Sequence, residues 1–377
     1  MINILKIKVL MFWSKLSYLY SLFIGSKTSR KIIVIESDDW GSERIPNVNV
    51  KDCLKEKGID MYSNPHSKYD TLERLDDLLV LGELLKGIEN QFEKKVKITT
   101  NFISANPDFG KIKANHFKSF YYESFNITYR NRDGNTRVLE EINGLINRGY
   151  IKPQYHGREH INAILWLKEL ENGNSAFLEA FNLNTYAIDA SNGKSSRKNL
   201  MAALEYEDLV HMKFILNSIE SGHEIFKSIF GFPSKTFIAP RYVWNPDLEY
   251  TFAKCGFTHL QTALFQQSPN QKDYTSIFHY TGQKSRNANI YYMARNVYFE
   301  PAYGKIDWVN NALQKIDLAF KFKTPAIISM HRINFVGGLD SKARDFHLEQ
   351  FLILLKSIIL KYPEVEFMTS DELAEIL

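Results

Sequence analysis

The chain has 377 residues, enough for one large α/β barrel or for two average domains. Its 44% hydrophobic and 24% charged content is ordinary for a globular protein, and a net charge of +4 is too small to indicate a nucleic-acid partner. Two cysteines, Cys53 and Cys255, exclude a disulfide framework and a thiolate metal cluster, and point to a reducing, cytoplasmic setting.

Residues 1–30 form an apolar and basic extension, distinct from the catalytic unit expected over 31–377. Lys6, Lys8 and Lys15 interrupt the apolar run, and its uncharged stretch, 16–26, falls short of the roughly 20 residues that span a bilayer. Phe23-Ile24-Gly25-Ser26 is a poor match to the small-residue cleavage site of a signal peptide. Two placements remain open. The segment is either a helix docked on the rest of the protein, or an interfacial helix touching the inner membrane through Phe12, Trp13, Tyr18, Tyr20 and its lysines.

The run Ile32-Ile33-Val34-Ile35 reads as a strand buried on both faces, followed at once by Glu36, Asp38 and Asp39, then Gly41. Like charges crowded at the end of a buried strand call for a cation. Residues 47–64 read as irregular, 71–87 as a helix, 96–103 as an alternating strand and 117–133 as an excursion. A helix is expected over 138–147, a strand over 150–155, and helices over 161–171 and 175–181. Residues 184–204 are polar and look like a surface insertion. A long helical pattern, 205–230, is expected to break at Gly222.

Strand 236–238 precedes Asn245-Pro246-Asp247, a cap with proline at the first helical position. Strands are then expected over 257–261, 290–299, 326–330 and 365–368, with helices over 306–320, 347–360 and 370–377. Strands alternating with helices at this spacing predict a parallel sheet with crossovers.

Two further groups carry chemistry. His156-Gly157-Arg158-Glu159-His160 follows a strand, as Asp38-Asp39 does, and its two imidazoles can meet one ion on a helix face or across a turn at Gly157. Two histidines and one carboxylate leave coordination open, as a catalytic Zn²⁺ or another divalent ion requires. The strand Ala326-Ile327-Ile328-Ser329-Met330 delivers His331 to the same end of the sheet.

In order, Asp38-Asp39 before Gly41, His156-x3-His160, Phe237-Ile238-Ala239-Pro240-Arg241-Tyr242, Asp307-Trp308 and Ile328-Ser329-Met330-His331 resemble the motif set of the polysaccharide deacetylase (NodB-homology) family. The likeness runs from about Lys31 to the end, and the closing stretch 365–373 is similar to the family's finish. It implies a distorted (β/α) barrel and removal of acetyl groups from an N- or O-acetylated glycan by water that a divalent ion, Zn²⁺ first, activates. Carried over by position, Asp38 is the base, Asp39, His156 and His160 are metal ligands, and His331 is the acid.

This sequence departs from the family at identifiable places. Glu36-Ser37 stand where the first motif has Thr-Phe, and Trp40 separates the acids from Gly41. Ile238 stands where the family has an arginine, so Arg241 is the expected partner of the base. Asp307, matched to the family's aspartate through Asp307-Trp308, is by that resemblance the expected partner of His331. Other functional readings are a metal-dependent amidase or glycosidase, with Glu36 or Glu300 as the extra acid, and a non-catalytic carbohydrate-binding relative.

Overall fold

The computed structural model describes residues 2–133, 136–188, 200–270 and 273–377. Its central sheet has nine strands: β1 (Ile32–Trp40), β2 (Ile98–Phe102), β3 (Ile151–Tyr155), β4 (Thr236–Ile238), β5 (His259–Thr262), β6 (Tyr291–Ala294), β7 (Val297–Tyr298), β8 (Ala326–His331) and β9 (Glu366–Met368). All pairings within it are parallel. The strands follow one another in chain order, β1 to β6 on one side and β7 to β8 back to β1 on the other.

The ring is closed by the chain itself. β6 bonds to β5 and β7 to β8, and only Arg295 and Asn296 lie between them. The Arg295 N–H donates to Thr262 O at 2.8 Å, the Asn296 N–H to Ile327 O at 3.2 Å. The single strand expected over 290–299 is therefore a segment that changes partners at Arg295. The result is the expected α/β architecture, a distorted (β/α) barrel.

β1 is buried along its whole length and has three partners, with β8 on one side and β9 then β2 on the other. Helices Leu75–Phe92, Leu209–Phe230, Trp308–Lys321 and Ser341–Lys361 cover the sheet with residues such as Leu78, Ile219, Ile316 and Phe351. Each fully buried side chain of this kind stabilises the fold by about 1.5–3 kcal/mol. Thr99 and Asn101 of β2 are buried too, because they face the barrel interior: Thr99 bonds Ser370, and Asn101 bonds Asp38 and Gln261. Alternation there separates interior from helix-facing residues, not core from solvent.

Several local expectations change. Helix Leu209–Phe230 runs unbroken through Gly222, where a Cβ would lie 2.2 Å from the Tyr155 hydroxyl. Glycine is there for close packing, not for a break. Within 47–64, Asn47 caps a helix over Val48–Glu56 and Asn64 caps a short one over Pro65–Tyr69. Residues 117–133 hold a strand, Tyr122–Ser124, and a helix, Phe125–Asp133. Of the expected surface insertion 184–204, residues 189–199 lie outside the described residues, and the flanks are not surface: Tyr186, Ile188 and Leu200 are buried in an apolar cluster with Trp166 and Phe181.

The N-terminal extension is a helix, Ile2–Ile24. Its later turns dock on the barrel through Tyr18 and Leu22, and Ser26 and Thr28 donate backbone hydrogen bonds to Thr281 and Lys323. No helix among the described residues is long and apolar enough to cross a membrane.

Candidate metal centre and active site

Successive residues of a strand point to opposite faces, so Asp38 and Asp39 would ordinarily diverge. A bulge prevents this. Ser37 pairs with Thr100 and Trp40 with Phe102, which leaves one extra residue on β1, and Asp39 sits in the left-handed region at φ 76°. Such a conformation costs of order 1–3 kcal/mol in a non-glycine residue and is held by its surroundings. Trp40, the residue intervening before Gly41, is buried and its indole N–H donates to Ser37 Oγ at 2.9 Å. Both aspartates thereby reach one cavity of about 660 Å³ at the C-terminal ends of the strands.

Asp39, His156 and His160 converge, their donor atoms within 4.8 Å of one another. His156 Nε2 and His160 Nε2 lie 3.3 and 3.0 Å from the same oxygen, Asp39 Oδ1. The histidines are not on a helix. Gly157, at φ 117°, makes the turn between them, and the next helix begins at Ala163. Arg158 and Glu159 pair with each other beneath the turn, Glu159 also accepting from Ser218 at 2.8 Å. His156 Nδ1 is 2.9 Å from the Ile238 carbonyl, which places the ring proton there and leaves Nε2 as a lone-pair donor.

The residues fit a divalent ion. Asp39 Oδ1 is buried without a hydrogen-bond partner although two imidazole nitrogens face it. Burial holds His160 down to about 4, so it presents a neutral nitrogen near neutral pH. Burial pushes Asp39 up, but the Arg44 guanidinium foremost, with the facing imidazoles, outweighs it and keeps the carboxyl well below its usual range. The second oxygen, Asp39 Oδ2, faces the Arg44 guanidinium at 3.0 Å.

Asp38 is gripped by a residue the sequence did not single out. Arg295 Nη1 and Nη2 donate to its two oxygens at 2.6 and 2.7 Å, and Asn101 adds a third bond at 2.7 Å. Burial raises Asp38, yet Arg295 more than compensates and its pKa lies below the usual value. Arg241, the expected partner, takes no part in this. It is an exposed residue of the cavity wall at φ 61°, and its neighbour Tyr242 instead accepts from Arg295 Nη1 at 2.9 Å. Glu36 is structural, bonded to Arg295 Nε and Ser370 Oγ.

Asp307 is likewise corrected. Its carboxylate accepts from Asn310 N–H as the cap of helix Trp308–Lys321. His331 Nδ1 lies 2.5 Å from Glu300, whose other oxygen accepts from Asn334 at 2.8 Å. Burial lowers the His331 pKa, but Glu300 overrides it and raises the imidazole to about 9. His331 Nε2 stands 3.9 Å from Asp38 Oδ2 and lines the same cavity as Asp39, His156 and His160.

No protein-family model matches the sequence, and no curated protein matches it either. Among solved structures the chain is similar to a putative polysaccharide deacetylase from Mycobacterium smegmatis, with 12% identity and a TM-score of 0.44 over 93% of this chain and 92% of that one. It is similar to a probable polysaccharide deacetylase from Pseudomonas aeruginosa PAO1, with 11% identity and a TM-score of 0.45 over 92% and 91% of the two chains. A 4-alpha-glucanotransferase from Thermococcus litoralis shows 9% identity and a TM-score of 0.46, and this chain spans only 40% of its length. At identities this low no residue's role carries over.

Further residues complete the site. His66 follows the cap at Asn64 and lies edge-on to His331, ring centroids 4.9 Å apart, with its Nε2 2.9 Å from the Tyr303 hydroxyl. Asp70 and Arg332 extend the network inward: Arg44 and Arg332 both face Asp70, and Arg332 also faces Glu73. His66, Asp39 and Asp70 are close enough to hold an ion, but the two guanidiniums already neutralise Asp70 and the far oxygen of Asp39. Asn64-Pro65 was the available signal for His66, whereas Arg295 lies within the run 290–299 and had none.

Proposed function

We propose that this protein is a metal-dependent hydrolase that removes acetyl groups from an N- or O-acetylated glycan. One observation carries the reading: a buried, unpartnered carboxylate oxygen faced by two imidazole nitrogens, with a second carboxylate held off it by Arg295. A divalent ion held by Asp39, His156 and His160, Zn²⁺ by the chemistry of that donor set, would polarise the acyl oxygen and acidify a water. The chain's own residues do the rest. Asp38, ionised and fixed by Arg295 and Asn101, takes the proton of the attacking water. His331, held as imidazolium by Glu300, gives a proton to the leaving nitrogen or oxygen as the bond to the acetyl carbon breaks.

The backbone of the Arg241–Tyr242 turn, in the same cavity wall, is our candidate to steady the developing oxyanion. Tyr298, Tyr303 and Trp308 offer aromatic walls to a sugar ring. A glycosidase needs two carboxylates working from opposite sides of the bond. Here Asp38 is bound to Arg295 and Glu300 to His331 and Asn334, which disfavours that chemistry.

The test is metal analysis of the purified chain with acetate release measured on a panel of acetylated oligosaccharides. Asp38→Asn is expected to keep the metal and lose acetate release. Undiminished release by that variant removes Asp38 from its role, and reducing-sugar release without acetate supports the glycosidase instead.

A further inference from the structure

The helix Ile2–Ile24 is apolar on two faces, and the barrel covers only one of them. At about 100° per residue, positions 18, 21 and 22 share one side of the helix, the side that is buried against the barrel. Positions 12, 13, 16, 20 and 23 share the other, within an arc of about 100°. That second side is largely exposed: Phe12 is 60% exposed, Trp13 61%, Leu16 40% and Phe23 67%, and Tyr20, whose ring stacks on Phe278, still 56%. Lysine positions 8 and 15 flank this stripe on one edge and position 6 on the other. Before Glu36 the chain carries six basic residues and no acidic one.

We infer that this face lies on an anionic lipid bilayer. A stripe of aromatic and aliphatic side chains bordered by lysines has the make-up of a helix seated at the level of lipid headgroups. A second copy of this chain is the poorer occupant, because two such helices would bring like charges together with no acid among them. The helix is also placed to matter for the site. It runs beside helix Trp308–Lys321 in the same sense, the Tyr18 hydroxyl donating to Lys315 O and Lys27 Nζ to Phe322 O. Trp308, where that neighbouring helix begins, lines the cavity. The N-terminal helix continues as far as Ile2, several turns before Phe12, so at about 1.5 Å per residue it passes the level of the cavity rim. Seated on a bilayer, it holds the mouth of the barrel beside the lipid surface.

The test uses the full chain and vesicles of phosphatidylcholine alone or mixed with phosphatidylglycerol. The chain is expected to sediment with the mixed vesicles, to be released by salt, and to show a blue shift of tryptophan emission on binding. Phe12→Ser with Trp13→Ser and Phe23→Ser is expected to weaken binding about tenfold or more, with thermal unfolding unchanged because these side chains touch little of the barrel. Lys8→Gln with Lys15→Gln is expected to weaken binding to anionic vesicles by about fivefold per charge. Failure of the wild-type chain to bind mixed vesicles overturns the inference, as does undiminished binding by both variants. A concentration-dependent dimer abolished by the aromatic substitutions, without vesicle binding, assigns the face to a second copy instead. None of these outcomes depends on acetate release.

Discussion

Arg295 holds both oxygens of Asp38, at 2.6 and 2.7 Å, from the point where β6 passes into β7 and the barrel closes. The same guanidinium bonds Glu36, so one buried cation neutralises two buried acids. Breaking such a pair by removing one partner costs roughly 3–5 kcal/mol. Arg295→Ala is therefore expected to lower thermal stability steeply as well as activity. Arg295→Lys keeps the charge but loses the bidentate grip. It should stay folded while acetate release falls about a hundredfold, since a misplaced catalytic group costs about that much. Arg241→Ala should change neither stability nor turnover more than a few-fold. Equal losses at the two arginines would restore Arg241 as the partner of the base.

Much of this was legible in the sequence, and the misses share a cause. Asp38, Asp39, His156, His160 and His331 each stand at or just past the end of an apolar run, where order along the chain maps directly onto the barrel mouth. Arg295 lies inside the run 290–299, which reads as one strand and is two, so the strand end that exposes it is hidden. Glu300 follows that run directly, but reads in the sequence only as an extra acid. Asp307 matched a motif of two residues, yet an aspartate before a helix is more simply a cap, and that is its use here. The bulge at Asp39 had a visible trace in the extra Trp40. Its effect, turning two adjacent acids to one side, depends on how β1 registers against β2.

Removing the proposed ligands should separate metal binding from folding. His160→Ala and Asp39→Ala are each expected to lose the ion in elemental analysis. Because an ion that binds only the native state stabilises it, chelation should lower the unfolding temperature of the wild-type chain and leave these variants unmoved. An unchanged metal content in both variants would dissolve the assigned cluster.

The pH profile has a defined alkaline limb. His331 is held at about 9 against an ordinary value of 6.5, so the proposed acid is lost as pH rises through about 9. Turnover on an acetylated sugar should fall over that range. The stability part has the same sign. The folded state binds this proton more tightly than the unfolded chain, so its contribution is complete below about 6.5 and lost as pH climbs through about 9. Glu300→Gln removes the carboxylate that raises the imidazole and should move the limb toward neutral pH. A limb that stays in place in that variant would assign it to another group.

Two glycines in helices should respond to alanine with opposite signs. Gly87 lies in helix Leu75–Phe92 with nothing within 4 Å of where a Cβ would be. Gly87→Ala should stabilise by about 0.4–1 kcal/mol, because the unfolded chain loses freedom and the native helix loses nothing. At Gly222 the added carbon would lie 2.2 Å from the Tyr155 hydroxyl and 2.9 Å from Arg158 Cα, both neighbours of His156 in the chain. Relief requires the helix Leu209–Phe230 to retreat or the 155–158 turn to shift, and overpacking of this kind costs about 1–3 kcal/mol. The turn sets the spacing of His156 and His160, so Gly222→Ala should weaken metal affinity along with the fold. Metal titration beside thermal unfolding reads both. A variant with lowered stability and wild-type metal affinity would show that the helix yields and the histidine turn does not.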